Sequence, residues 1–126
     1  MLITGIDIIE INRIAKIVRI YSDRFLKRIY TDDELYYCKG RFPQLASRFA
    51  AKEATMKALG TGIRGVGWKD VEVSREKGKA PIINLSGRAI LRANKIGLNE
   101  LTLTLSHSKE YAVASVVGNC DNGNMV

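Results

Sequence analysis

The sequence predicts an α+β fold: a single domain in which an antiparallel sheet packs against a long helix. Three observations carry this. An apolar, β-branched run, Leu2 to Ile9, opens the chain; one unbroken helical stretch follows Pro43; two alternating segments, Leu101 to Ser106 and Tyr111 to Val117, flank a polar turn near the end. Strand, then helices, then strands with one helix is the order of an α+β domain with an antiparallel sheet.

Taken in order, Leu2 to Ile9 suits a strand buried on both faces, interrupted by one charge, Asp7. From Ile11 the spacing becomes helical, with Ile11, Ile14, Ala15 and Val18 on one side and Arg13 and Lys16 on the other. Ser22 or Asp23 caps a second short helix through Tyr30. Thr31-Asp-Asp-Glu34 has the capping-box pattern of a third. Pro43 fits a first helical turn, and PQLASRFAAKEATMKALG runs as one helix until Gly60 stops it. The four glycines between Gly60 and Gly67 predict a loop. Asp70 to Arg75 then alternates as a strand, Glu76 to Lys79 turns, and Pro81 to Leu85 is a second short strand. Ser86 caps a helix that ends at Gly97, and a hairpin across His107 to Glu110 completes the domain. The domain is expected over 1–118, with 119–126 a frayed polar tail.

The chain has 126 residues, 46% hydrophobic and 26% charged, which is one domain able to bury roughly two thirds of its unfolded surface. Neither a disulfide framework nor a structural metal is needed. Cys38 and Cys120 have no C-x-x-C spacing and one histidine to join them, which excludes a zinc site. No apolar run approaches the ~20 residues of a membrane span, and the acidic residues of MLITGIDIIE rule out a signal peptide. A cytoplasmic protein is expected. Twenty Lys and Arg against thirteen Asp and Glu leave a net charge of +7, so an acidic partner is expected.

Some charges sit against the pattern. Glu53 and Lys57 project together from the long helix, inside the arc of Ala46, Phe49, Ala50 and Ala54. They read either as an i,i+4 surface pair or as functional groups, because a charge in an apolar setting needs a partner or a metal. Asp7 reads either as a cap for the next helix or as a second carboxylate. Asp7 and Glu53 together would offer hard oxygens to one Mg²⁺, which commonly takes one or two protein carboxylates and completes its shell with water and phosphate. Lys57 would then meet the phosphate. The glycine cluster could admit a phosphate to backbone N–H groups or could be a plain connection; it has neither P-loop nor dinucleotide-fold order. His107, Ser106, Ser108 and Lys109 form either a solvated turn or a grip on phosphate oxygens.

Four segments together resemble the holo-acyl-carrier-protein synthases, the small 4′-phosphopantetheinyl transferases. They are Gly5-Ile-Asp-Ile-Ile-Glu-Ile11 with Arg13, then Arg48-Phe-Ala-Ala-Lys-Glu-Ala54 with Lys57 to Gly62, Trp68 to Val73, and Leu105-Ser-His-Ser-Lys-Glu-Tyr-Ala112. The resemblance implies the fold of that family and transfer of 4′-phosphopantetheine from coenzyme A to a serine of apo acyl carrier protein, in fatty acid biosynthesis. It implies Asp7 and Glu53 as magnesium ligands, with Asp7, Glu53 and Lys57 catalytic. It implies Arg48, Lys57, Gly60, His107 and Ser108 on the coenzyme A side. Arg13, Lys16, Arg24 and Arg28 lie where the family docks its acidic carrier protein, and homotrimers with sites at subunit interfaces are implied as well. Thr102 stands where many relatives carry histidine. Two other readings are weighed: a basic nucleic-acid-binding module, for which no aromatic signature lies on a strand, and an interaction domain that has lost catalysis, against which Asp7, Glu53 and Lys57 argue.

Overall fold

The computed structural model describes residues 1–121; the expectation of a frayed tail beyond that point lies outside the described residues. The elements run β1 (Leu2–Glu10), α1 (Ile11–Tyr21), α2 (Asp23–Ile29), α3 (Asp32–Cys38), α4 (Phe42–Leu59), α5 (Gly62–Gly65), β2 (Val71–Ser74), β3 (Ile82–Leu85), α6 (Gly87–Lys95), β4 (Leu98–His107) and β5 (Tyr111–Cys120). Strands β1, β5 and β4 form an antiparallel sheet in that order, and β2 and β3 pair separately. The predicted α+β class holds.

Strand β1 departs from expectation. It is an edge strand covered on one face only: Gly5 and Ile9 are buried against the helices, while Leu2, Ile6 and Ile8 are 61–69% exposed. An antiparallel sheet with helices on a single side leaves its other face open, and the β-branched residues there make the run look two-sided in sequence.

Helix α4 lies across the covered face. Pro43 falls in its first turn and Gly60 closes it at φ 75°, as expected. The single apolar arc is not what the structure shows. Twelve of its eighteen residues are buried, because the sheet covers one side and α1, α3 and β2 cover much of the rest. Glu53, half-buried, and Lys57, exposed, lie on its open strip. Phe49 stacks on Trp68 at 4.9 Å, so these aromatic residues go to the core.

Thr31 caps α3 as predicted: the Glu34 N–H donates to its Oγ1 at 3.2 Å, and the Thr31 N–H donates to Glu34 Oε1 at 2.9 Å. Ser86 does not cap α6 through its side chain. The carboxylate of Asp70 does that work instead, accepting from the Arg88 N–H at 3.3 Å, and it also accepts from the Gly67 N–H of its own turn at 2.9 Å. Asp70 consequently closes a 3₁₀ turn and is not part of β2. Within the glycine stretch, four residues form the helical turn α5.

Strand β5 also runs further than expected. It reaches Cys120, which is 2% exposed, and the Met1 ammonium donates to the Cys120 carbonyl at 3.0 Å while the Cys120 N–H returns a bond to Met1. The Asp121 N–H donates to Gly97. Residues 119–121 therefore belong to the folded domain, held by backbone pairing that hydropathy alone does not reveal.

Candidate active site

The site originates in one close contact. A Cβ on Gly5 would lie 1.9 Å from the carbonyl oxygen of Ala54, so only glycine lets β1 rest directly on the backbone of α4. Asp7 follows two residues later on the same face. There Lys57 Nζ donates to Asp7 Oδ1 and to the Ile6 carbonyl, each at 3.0 Å.

Glu53 precedes Lys57 by one helical turn. Burial raises the proton affinity of its carboxyl above the ordinary glutamate value, and the negative charge of Asp7 adds to this; Lys57 and Arg13 oppose it. Four side chains from β1, α1 and α4 thus act on one another. Asp7 does not cap α1, because that helix takes no side-chain cap. The Lys57 side chain is 56% exposed, so its bond to Asp7 holds loosely and the ammonium is free to meet an incoming anion.

Two carboxylates, one of them destabilised by the other, suit a hard divalent cation. No hydrogen-bond donor reaches Glu53 or the second oxygen of Asp7 among the described residues. No group of three acidic, histidine or cysteine ligands occurs among those residues, so protein ligands alone would leave most positions of an octahedral ion to water and phosphate. Burial pushes the Cys38 thiol up to about 11, which removes it as a nucleophile near neutral pH.

Arg13 aside, the other expected residues are not brought into this cluster within one chain. His107 and Ser108 occupy the exposed hairpin tip, with Ser108 Oγ accepting the N–H groups of Glu110 and Tyr111. In register, His107 pairs with Ala112, which pairs with Ile9, so it lies two strands across from β1. Arg48 is five residues before Glu53, about 140° around the helix, and is only 3% exposed. Its guanidinium stands 4.3 Å from the Tyr37 ring centroid, and its Nε and Nη2 are buried with no hydrogen-bond partner. Gly60 borders a cavity of about 370 Å³ with Ile3, Ala58, Arg92 and Lys95. Arg13, Lys16, Arg24 and Arg28 are exposed on α1 and α2, and the last two flank a groove with Ile17, Tyr21 and Phe25.

Sequence reasoning misses two features. Gly5 is one, although a glycine two residues before a lone aspartate in a strand is a signal that could have found it. The other is a buried pair, Lys52 and Glu34, both fully buried at 2.7 Å. Burial pulls the Lys52 ammonium below its ordinary value while Glu34 works against this.

The small α+β scaffold on which these residues meet is shared with a known class of group-transfer enzymes. The pattern of the 4′-phosphopantetheinyl transferase superfamily matches residues 3–116, and the chain belongs to that superfamily. Within it the likeness is to holo-[acyl-carrier-protein] synthases, and the chain is a phosphopantetheinyl transferase. The synthase of Koribacter versatilis is 49% identical over 118 residues, 90% of this chain and 94% of that protein. That of Herpetosiphon aurantiacus is 42% identical over 125 residues, covering 94% and 98%. Among solved structures, the Helicobacter pylori holo-[acyl-carrier-protein] synthase in complex with coenzyme A superposes with a TM-score of 0.84 at 34% identity, covering 92% of this chain and 99% of that one. The Bacillus anthracis synthase gives 0.77 at 40% identity, covering 96% and 100%.

Proposed function

We propose that this chain transfers the 4′-phosphopantetheine arm of coenzyme A to a serine hydroxyl of apo acyl carrier protein, in a magnesium-dependent reaction that serves fatty acid biosynthesis in the cytoplasm. The observation that carries the reading is the meeting of Asp7, Glu53 and Lys57 where β1 crosses α4. The serine oxygen forms a bond to the pantetheine-side phosphorus, the pyrophosphate P–O bond breaks, and adenosine 3′,5′-bisphosphate leaves with the electron pair while the serine proton is released.

Asp7 and Glu53 are the residues that would hold magnesium, which when bound supplies charge neutralisation on the pyrophosphate. Lys57, exposed beside them, binds phosphate oxygens and stabilises charge on the leaving group. Arg48, Gly60, His107 and Ser108 are assigned to coenzyme A, and Arg13, Lys16, Arg24 and Arg28 to the acidic carrier. The unpartnered guanidinium atoms of Arg48 favour an anionic ligand. Separation of His107 from Asp7 in one chain favours sites shared between subunits. The open sheet face with Leu2, Ile6, Ile8 and Val117 supports a homotrimer, since contiguous exposed apolar surface marks an interface.

Incubation with coenzyme A, magnesium and apo carrier protein, read by intact mass, tests the reading. A pantetheinyl increment that EDTA abolishes is expected. Absence of transfer together with oligonucleotide binding that falls steeply with salt overturns it in favour of a nucleic-acid binder. Sedimentation of the wild type and of Ile6→Glu tests the trimer, which the variant should break into monomers.

A further inference from the structure

Lys52 and Glu34 join segments that are distant along the chain. Lys52 Nζ donates to Glu34 Oε1 at 2.7 Å, to the Trp68 carbonyl at 3.0 Å and to the Val71 carbonyl at 2.6 Å. All three ammonium donors are thereby used. Glu34 is equally occupied: the Thr31 N–H donates to Oε1 and the Val73 N–H to Oε2, both at 2.9 Å. Both side chains are fully buried.

The place of these bonds gives them a role. The connection 60–67 leaves the end of α4 and returns at Trp68. Its near end is fastened to the turn that carries Lys57, through bonds from the N–H of Gly60 to the Lys57 carbonyl and from the N–H of Thr61 to Met56. Its far end is fastened by Lys52, which precedes Glu53 on the same helix. Between these anchors residues 62–65 are exposed. One buried ammonium therefore fixes both the helix that presents Glu53 and Lys57 and the return of the glycine-bearing connection that leaves the end of that helix.

We infer that Lys52 and Glu34 are positioning residues for the transfer, clamping the far end of the connection 60–67 to α4 so that the segment beside Lys57 keeps one geometry for the coenzyme A end of the reaction. The inference rests on the function proposed above. Neither residue touches substrate. An ammonium and a carboxylate buried together often contribute little net stability compared with apolar groups of the same volume, so a role in geometry is what distinguishes this pair from simple packing.

The test is the double variant Glu34→Gln with Lys52→Met, which removes both charges at similar volume and leaves neither ion alone. At a temperature where circular dichroism shows it folded, the KM for coenzyme A should rise about tenfold while the KM for carrier protein, captured on α1 and α2, stays within about twofold. Amide hydrogen exchange at Gly67 and Asp70, the hydrogen-bonded amides of the clamped return, should quicken by about tenfold or more while that of α4 is unchanged. Wild-type KM for coenzyme A, or unchanged exchange at Gly67 and Asp70, overturns the inference. Exchange in the wild type keeps the claim testable should the variant not fold: the amides of Gly67 and Asp70 must be protected within about tenfold of those at Ala50 and Ala51, and faster exchange there overturns it. If the wild type itself transfers nothing, the functional reading fails, and the exchange measurements still report on the clamp.

Discussion

Replacing Gly5 with alanine puts one methyl group against the backbone on which the site depends. Its carbon would start 1.9 Å from the Ala54 carbonyl oxygen and 2.9 Å from the Ala58 nitrogen. Those atoms belong to a buried helix and have no rotamer to yield, so β1 must retreat by about 1 Å to reach even a tight contact. Overpacking of this kind costs about 1–3 kcal/mol. For a domain of this length that lowers Tm by about 4–12 °C. Asp7 is carried on the moving strand, and its 3.0 Å bond to Lys57 would open toward about 4 Å, beyond hydrogen-bond range. A misplacement of that size can cost about 10²-fold in rate. The assay is initial rate by intact mass at 20 °C, where the variant remains folded, beside a melting curve. A Tm within 1–2 °C of wild type and a rate within about twofold would show that the strand–helix approach does not set the site.

Other outcomes follow from the same geometry. Glu53→Gln should reduce the transfer rate by at least about 10³-fold with no loss of stability at neutral pH; retained turnover refutes its role as a ligand. Folding raises the Glu53 pKa, so the folded state binds this proton more tightly and the carboxylate's penalty is fully present above the folded value. The stability deficit of wild type relative to Glu53→Gln should shrink as pH falls through that value toward the ordinary glutamate range, as melting curves across pH can check. Millimolar magnesium should raise the wild-type Tm by offsetting the repulsion of Asp7 and Glu53, and should leave Glu53→Gln unmoved; equal shifts refute the shared site. Lys57→Met should change stability by under about 1 kcal/mol, given its exposure, while slowing transfer at least about 10²-fold. Lys16→Glu should raise the KM for carrier protein about tenfold with little change in KM for coenzyme A; an unchanged carrier KM removes the Lys16 face of α1 from the docking surface.

The elements with local signals are visible in the sequence. Thr31 and Glu34 announce their capping box, Gly60 its left-handed stop, and the hairpin its polar turn, because each depends on residues within a few positions of one another. Asp7 stands out for the same local reason, as the one charge in an apolar β-branched run, and Glu53 as a carboxylate inside an apolar helical arc. What depends on distant contacts is hidden. The carboxylate of Glu34 reads as a capping residue alone, yet it also receives Lys52, eighteen positions later, and Val73. The burial of Lys52 is hidden because nothing in its own helix marks the side facing β2. Ser86 has the right residue type for a cap, but Asp70 reaches the Arg88 N–H in the first turn of α6 from another element. The open face of β1 is hidden too, since isoleucines on both faces give no alternation.

The contact between β1 and α4 also ties the proposed catalysis to stability. The strand contributes Gly5 and Asp7 and the helix contributes Ala54, Glu53 and Lys57, so the close packing that excludes a Cβ is the packing that brings two carboxylates into mutual repulsion. A sequence selected for stability alone would replace one carboxylate by an amide. Retaining both is unfavourable in the isolated chain; under the proposed function a cation and a phosphate would offset that repulsion, which would place the strain where substrate can release it. Lys57 moderates that repulsion through an exposed bond, and an exposed bond is one that a phosphate oxygen can replace. The buried Lys52, five positions earlier on the same helix, has all its donors committed inside the fold. Two lysines on one helix thus differ by burial: the enclosed one holds the framework, and under the proposed function the open one meets the substrate.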